Sequence, residues 1–166
     1  MSRGNIVLIG MPTSGKSTVG VIAAKILGMD FVDTDIVIQR REGARLCDII
    51  EKRGLEGFLE CEEQALLSLE VANAVIATGG SAVYSQKAME SLKKNGTVVY
   101  LKLEKDELFR RLKEVKERGV VLRNGETLEE MFEERVKLYE AYADITVSEE
   151  NSTIEDTVKD VTDHFR

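Results

Sequence analysis

The sequence has one proline, one histidine and two cysteines, and no apolar run approaches the roughly 18–20 residues that a membrane span needs. The first ten residues, MSRGNIVLIG, hold too short an apolar stretch for a signal-peptide core, so a cytoplasmic protein without a membrane partner is expected. Cys47 and Cys61 are too few and too far apart for a CxxC metal site or a secreted disulfide framework, and are read as reduced thiols. Basic residues are in the minority, 23 Lys and Arg against 30 Asp and Glu, for a formal charge of −7. Such a balance repels nucleic-acid backbones and anionic membranes, although a few Arg, Lys and backbone N–H groups can still hold a small anion locally. His164, two residues from the end, is expected to be solvated or packed. Repeats, low-complexity tracts and linkers are also missing. Residues 1–166 therefore read as one domain, long enough to bury a sizeable core.

What is present is an alternation of short β-branched runs and longer amphipathic segments. Strands are expected at NIVLI (5–9), FV (31–32), AVIAT (74–78), TVVYLKL (97–103) and ITVS (145–148). Helical spacing covers 16–27, ending at Gly28 as a C-cap, then 58–71, 86–94, 106–116, 128–142 and 154–165, the last with Ser152 or Thr153 as N-cap. Strands and helices in this order predict an α/β fold, a parallel sheet covered on both faces, with ligands beyond the carboxyl ends of the strands.

The single proline lies in the most informative segment. Gly10-Met11-Pro12-Thr13-Ser14-Gly15-Lys16-Ser17 fits G-x-x-x-x-G-K-[ST] at every defined position, between a strand and a helix. The glycines let backbone N–H groups turn toward phosphate oxygens, and the helix N-terminus adds partial positive charge. Gly10, Met11, Pro12, Thr13, Ser14, Gly15, Lys16, Ser17 and Thr18 are thus the candidate nucleotide site, with Lys16 on the β/γ-phosphates and Ser17 on Mg²⁺. No [NT]-K-x-D follows a late strand, as a GTPase switch would require, and the third strand ends in Thr78-Gly79-Gly80 instead of a metal-binding Asp. A small-molecule kinase using ATP and Mg²⁺ is favoured, with a small hydroxylated acceptor as its partner. A monomer is expected, with a homodimer as the alternative.

On the acceptor side, VDTDIV places Asp33 and Asp35 two apart at a strand end, where extended geometry sends both side chains to one side. Asp33 is read as a Mg²⁺-shell ligand and Asp35 as the group that accepts a substrate hydroxyl and its proton, with helix N-capping an open alternative for one of them. Gly79 and Gly80 permit close approach of a ligand. Residues 113–127, with glycines at 119 and 125 among basic residues, read as a mobile lid; Arg118 is favoured over Arg123 as its phosphate-stabilising arginine.

The N-terminal phosphate loop, DTD after it, the glycine turn after the third strand and ERVKLYEAYADITV (134–147) together resemble shikimate kinase over nearly the whole chain. The resemblance implies an adenylate-kinase-like three-layer P-loop fold with a five-stranded parallel sheet, a lid, and a helical substrate-binding region at about 35–62. It implies transfer of the γ-phosphoryl of MgATP to the 3-hydroxyl of shikimate, within aromatic amino-acid biosynthesis. It also implies Asp35 on the ring hydroxyls, Gly79 and Gly80 lining the pocket, Arg135 on the carboxylate, Arg118 as lid arginine and Arg111 against adenine.

The sequence departs from the family pattern in three places. Leu59 stands where the F-R-x-x-E stretch has a carboxylate-gripping arginine, Ser81 replaces the third glycine of the turn, and the lid reads Arg118-Gly119-Val120-Val121-Leu122. Arg41, Arg45 and Arg53 lie in the same region as substitutes for the missing arm. The departures also fit two other readings: a kinase of a different hydroxylated metabolite, or a nucleotide-binding regulator. The acidic runs 60–63 and 129–134 read as helix surfaces, with Glu62 matching the motif's acid; Tyr139 and Tyr142 read as packing residues.

Overall fold

A computed structural model describes residues 4–114, 122 and 125–166. Five strands, β1 (Asn5–Ile9), β2 (Asp30–Asp33), β3 (Ala74–Ala77), β4 (Gly96–Lys102) and β5 (Ile145–Ser148), pair in parallel in the order β2-β3-β1-β4-β5. The helices are α1 (Lys16–Leu27), α2 (Thr34–Glu42), α3 (Leu46–Leu67), α4 (Gln86–Lys94), α5 (Lys105–Glu114), α6 (Leu128–Tyr142) and α7 (Ile154–Asp163), with a 3-10 turn at Ala82–Tyr84. None of the described helices is long and apolar enough to cross a membrane.

Strand periodicity divides the core. Ile6 and Leu8 of β1 face one layer, with Val75, Val99 and Val147, against α1 and α7; Val7 and Ile9 face the other, with Ile76, Val98 and Tyr100, against α4, α5 and α6. Both faces of the sheet's centre are therefore buried, which is why Ile6–Ile9 of β1 and Ala74–Ala77 of β3 are apolar throughout instead of alternating. A third cluster, Ile38, Ile49, Phe58, Cys61 and Ala65, holds α2 to α3 at the edge of the molecule.

The helices from α1 and α4 to α7 start within a residue of the expected positions, and Gly28 caps α1 in the left-handed conformation with φ 67°. Thr153, not Ser152, opens α7, in a reciprocal capping box with Asp156. The region after β2 differs more. The expected helix at 58–71 is the second half of a longer α3 that bends at Gly54, and α2 precedes it. Only Thr34 and Ile38 of α2 are buried, so its periodic signal is weak. Arg118, Arg123 and most of the expected lid lie outside the described residues.

Candidate active site

Among the described residues the candidate groups gather around the carboxyl ends of β1, β2 and β3, with Arg111 and Arg135 reaching them from α5 and α6. β1 runs into the phosphate loop, whose turns use φ 151° at Gly10 and φ 81° at Gly15. A Cβ on Gly10 would lie 2.7 Å from the Leu101 carbonyl, so that position has no room for a side chain. Lys16, 7 % exposed, folds back over the loop and donates to the carbonyls of Gly10 and Met11 at 2.8 and 2.7 Å and to Ser14 Oγ at 3.2 Å. Burial lowers its pKa to about 8, against the pull of Asp35, Glu149 and Asp33. Arg111 of α5 donates to the Thr13 carbonyl at 2.8 Å, which ties that helix to the loop. Arg110, one position earlier, pairs with Glu107 and Glu114 at the surface.

Asp33 caps α2 and also contacts the start of α1. One carboxylate oxygen accepts from the Asp35 N–H and caps α2; the other accepts from Ser17 Oγ at 2.8 Å. Asp35 does not lie in the expected extended strand geometry. β2 stops at Asp33, and Asp35 sits in the first turn of α2, so the turn and not a pleat brings the two acids to the loop.

The glycine turn closes the site. A Cβ on Gly79 would approach Glu62 Oε2 to 3.0 Å and Asp35 Oδ1 to 3.2 Å; one on Gly80 would meet Pro12 Cδ at 2.8 Å and Arg135 Nη1 at 2.9 Å. Two bare backbone positions thus let the phosphate loop, two carboxylates and a guanidinium converge. Arg135, only 1 % exposed, is no surface residue: its guanidinium lies 5.3 Å from the centre of the Tyr84 ring and its Nε donates to Tyr84 Oη at 3.2 Å. Tyr139 is more than packing, since its hydroxyl donates to the Gly80 carbonyl at 2.5 Å.

Glu62 is corrected from a helix surface to a buried group, 2 % exposed. It accepts from Ser81 Oγ at 2.7 Å, while its Oε2 has no hydrogen-bond partner, and burial raises its pKa to about 7. The signal was present in the sequence: Phe58, Cys61, Glu62, Ala65 and Leu66 form one helical stripe, and Glu62 interrupts its apolar run. Glu149, just beyond β5, was also missed. Burial raises its pKa to about 7 beside Arg111 and Lys16, and it lies at the strand ends where the topology collects ligand groups. Leu59 packs into the α2–α3 cluster. The cleft between these elements, about 560 Å³, is lined by the loop, Asp33, Asp35, Glu62, Gly79-Gly80 and Arg135, and on the α2–α3 side by Arg45, Leu46 and Ile50.

A parallel sheet with an anion loop after its central strand, and a separate polar pocket facing that loop, define a P-loop phosphotransferase acting on a hydroxyl acceptor. Comparison with known proteins narrows this class. The shikimate kinase family model matches residues 12–166. The shikimate kinase of Persephonella marina is 36% identical over 163 residues, covering 98% of this chain and 99% of its own. The structure of shikimate kinase from Acinetobacter baumannii in complex with shikimate superposes with TM-score 0.81 at 32% identity, covering 98% and 90% of the two chains. That of Aquifex aeolicus superposes with TM-score 0.80 at 36% identity, covering 95% and 93%. The chain belongs to the shikimate kinase family.

Proposed function

We propose that this chain transfers the γ-phosphoryl group of ATP to the 3-hydroxyl of shikimate. The observation that carries the reading is the convergence of the Lys16 loop, Asp35 and Arg135 on the two bare backbone positions Gly79 and Gly80. Loop residues 10–18 bind the triphosphate through backbone N–H groups, Lys16 takes the β/γ-phosphates, and Arg111 lies beside the base. Asp35 orients the acceptor hydroxyl. As the new O–P bond forms and the bond from the γ-phosphorus to its bridging oxygen breaks, the hydroxyl proton passes to Asp35 and ADP leaves. Arg135 pairs with the acceptor carboxylate, and Glu62 Oε2, unpaired in the cleft, offers a further acceptor for a ring hydroxyl. Arg118, outside the described residues, is assigned the phosphoryl charge.

Ser17 Oγ and Asp33 Oδ2, 2.8 Å apart in the cleft, are the oxygen donors that suit Mg²⁺, which needs only one or two protein ligands beside phosphate and water. When bound, the ion supplies neutralisation of phosphate charge. Among the described residues no cluster of three or more His, Cys, Asp or Glu offers an all-protein cage instead.

A kinase of another metabolite and a regulator are less favoured, since relatives matched over nearly the whole of both chains are shikimate kinases, and a regulator has no use for a buried Arg135 lining the same cleft as Asp35. The test is ADP release with MgATP and, in turn, shikimate, gluconate, homoserine and nucleoside monophosphates. Shikimate alone should drive turnover; saturation only at millimolar shikimate beside tight use of another alcohol would overturn the assignment.

A further inference from the structure

Three basic side chains among the described residues line the cleft, and one of them has no part in the reaction as described so far. Lys16 is folded onto the phosphate loop and Arg135 is held by Tyr84. The third is Arg45, at the N-cap of α3.

Nothing in the fold asks for arginine there. An N-cap favours Ser, Thr, Asp or Asn, whose side chains accept from the first turn, and Arg45 makes no capping hydrogen bond. Its side chain is 76% exposed, and its pair with Asp48 at 3.0 Å joins two surface groups, a contact that a bound anion readily displaces. It stands next to Leu46 and near Ile50, apolar lining that lowers the local polarity around an incoming carboxylate. The segment that carries it runs between two glycines with positive φ, Gly43 at 64° and Gly54 at 71°, so its direction is set by backbone conformations that other residues rarely adopt. The neighbouring arginines are committed or misplaced. Arg53 pairs with Glu42 at 2.8 Å and donates to Cys61 Sγ at 2.9 Å, and neither it nor Arg41 lines the cleft. Leu59 is partly buried against the α2–α3 cluster.

We infer that Arg45 is the second cationic arm for the acceptor's carboxylate, acting with Arg135, and so determines specificity for an acidic acceptor. The inference rests on the proposed reading of the acceptor as shikimate. Its physical basis is the planar guanidinium fork, which matches a carboxylate with two parallel hydrogen bonds, and the small cost of releasing Asp48.

The test uses Arg45→Ser, which removes the guanidinium while supplying a good N-cap, so folding is retained and Tm is unchanged or raised. Steady-state constants are measured for shikimate, for its methyl ester and for ATP. Loss of a charge-assisted arm raises KM for shikimate about ten- to a hundredfold, with KM for ATP within about twofold. The ester, lacking the charge, is used alike by wild type and variant, and Arg45→Lys falls between them. A shikimate KM within twofold of wild type, or an ester penalised as strongly as shikimate, would overturn the role of Arg45. Absence of shikimate-dependent ADP release from the wild type would instead overturn the acceptor assignment, and this inference with it.

Discussion

Asp35 and Glu62 share one rim of the cleft, both close to Gly79, yet their surroundings assign them different work. Asp35 lies in the first turn of a helix, near enough to Lys16 to favour that lysine's charge. Asp35→Asn keeps a hydrogen-bond acceptor but cannot take the proton, so kcat is expected to fall about 10²–10⁴-fold with KM for ATP nearly unchanged, as steady-state kinetics would measure. Glu62 is buried, and burial raises its pKa from the ordinary 4.5 to about 7. The native state thus binds the proton more tightly than the unfolded chain; this stabilising contribution is full below about 4.5 and is lost as pH rises through about 7. Glu62→Gln removes that loss. At pH 8 the variant should be more stable than wild type by at most roughly 3 kcal/mol, and at pH 4 about equal, in urea titrations across the range. Glu149 shifts in the same direction, so some slope persists in the variant; an unchanged slope would contradict the burial argument.

At the scale of elements, α3 is the piece that joins the core to the cleft proposed to hold the acceptor. Its second half carries Phe58 and Glu62 against the cleft and Leu66 into the core of the sheet, while its first half brings Arg45, Leu46 and Ile50 to the other side. The bend between them is Gly54, with φ 71° and ψ −178°, a conformation closed to side-chain-bearing residues, although the space around it is open. Gly54→Ala therefore costs backbone strain alone, about 1–3 kcal/mol, which corresponds to a Tm lower by roughly 2–12 °C in a domain of this size. Because straightening α3 re-aims its first half, KM for the acceptor should rise more than KM for ATP. Calorimetry and steady-state kinetics check the two effects separately, and equal changes in both constants would argue against α3 as the acceptor-side element.

The molecule as a whole is acidic, yet the cations Lys16, Arg45 and Arg135 line one cleft, with Arg111 docked on the loop beside it. Burying Lys16 there works against its own charge, and an anionic phosphate relieves that cost by restoring a partner. Nucleotide should accordingly stabilise the fold: at about one hundred times its Kd the gain is about 2.7 kcal/mol, a Tm rise of roughly 5–10 °C. With no tryptophan in the chain, calorimetry or circular dichroism is the suitable readout. Lys16→Met should abolish most of the shift, and a full shift in that variant would remove Lys16 from the phosphate site.

Local chemistry was legible without coordinates. The phosphate loop, α1 with its Gly28 cap, the strand order's implication of a parallel sheet, and α6 carrying Arg135 all follow from contiguous residues, since glycine geometry, capping and apolar periodicity act within a few positions. Tertiary structure alone decided what meets across the chain. Ser81 meets Glu62, Tyr84 holds Arg135, and Arg45 faces the cleft while Arg53 does not. Those outcomes depend on burial and on the bend at Gly54, and the cost of burying a charge or aiming a guanidinium is set by neighbours that are distant in sequence.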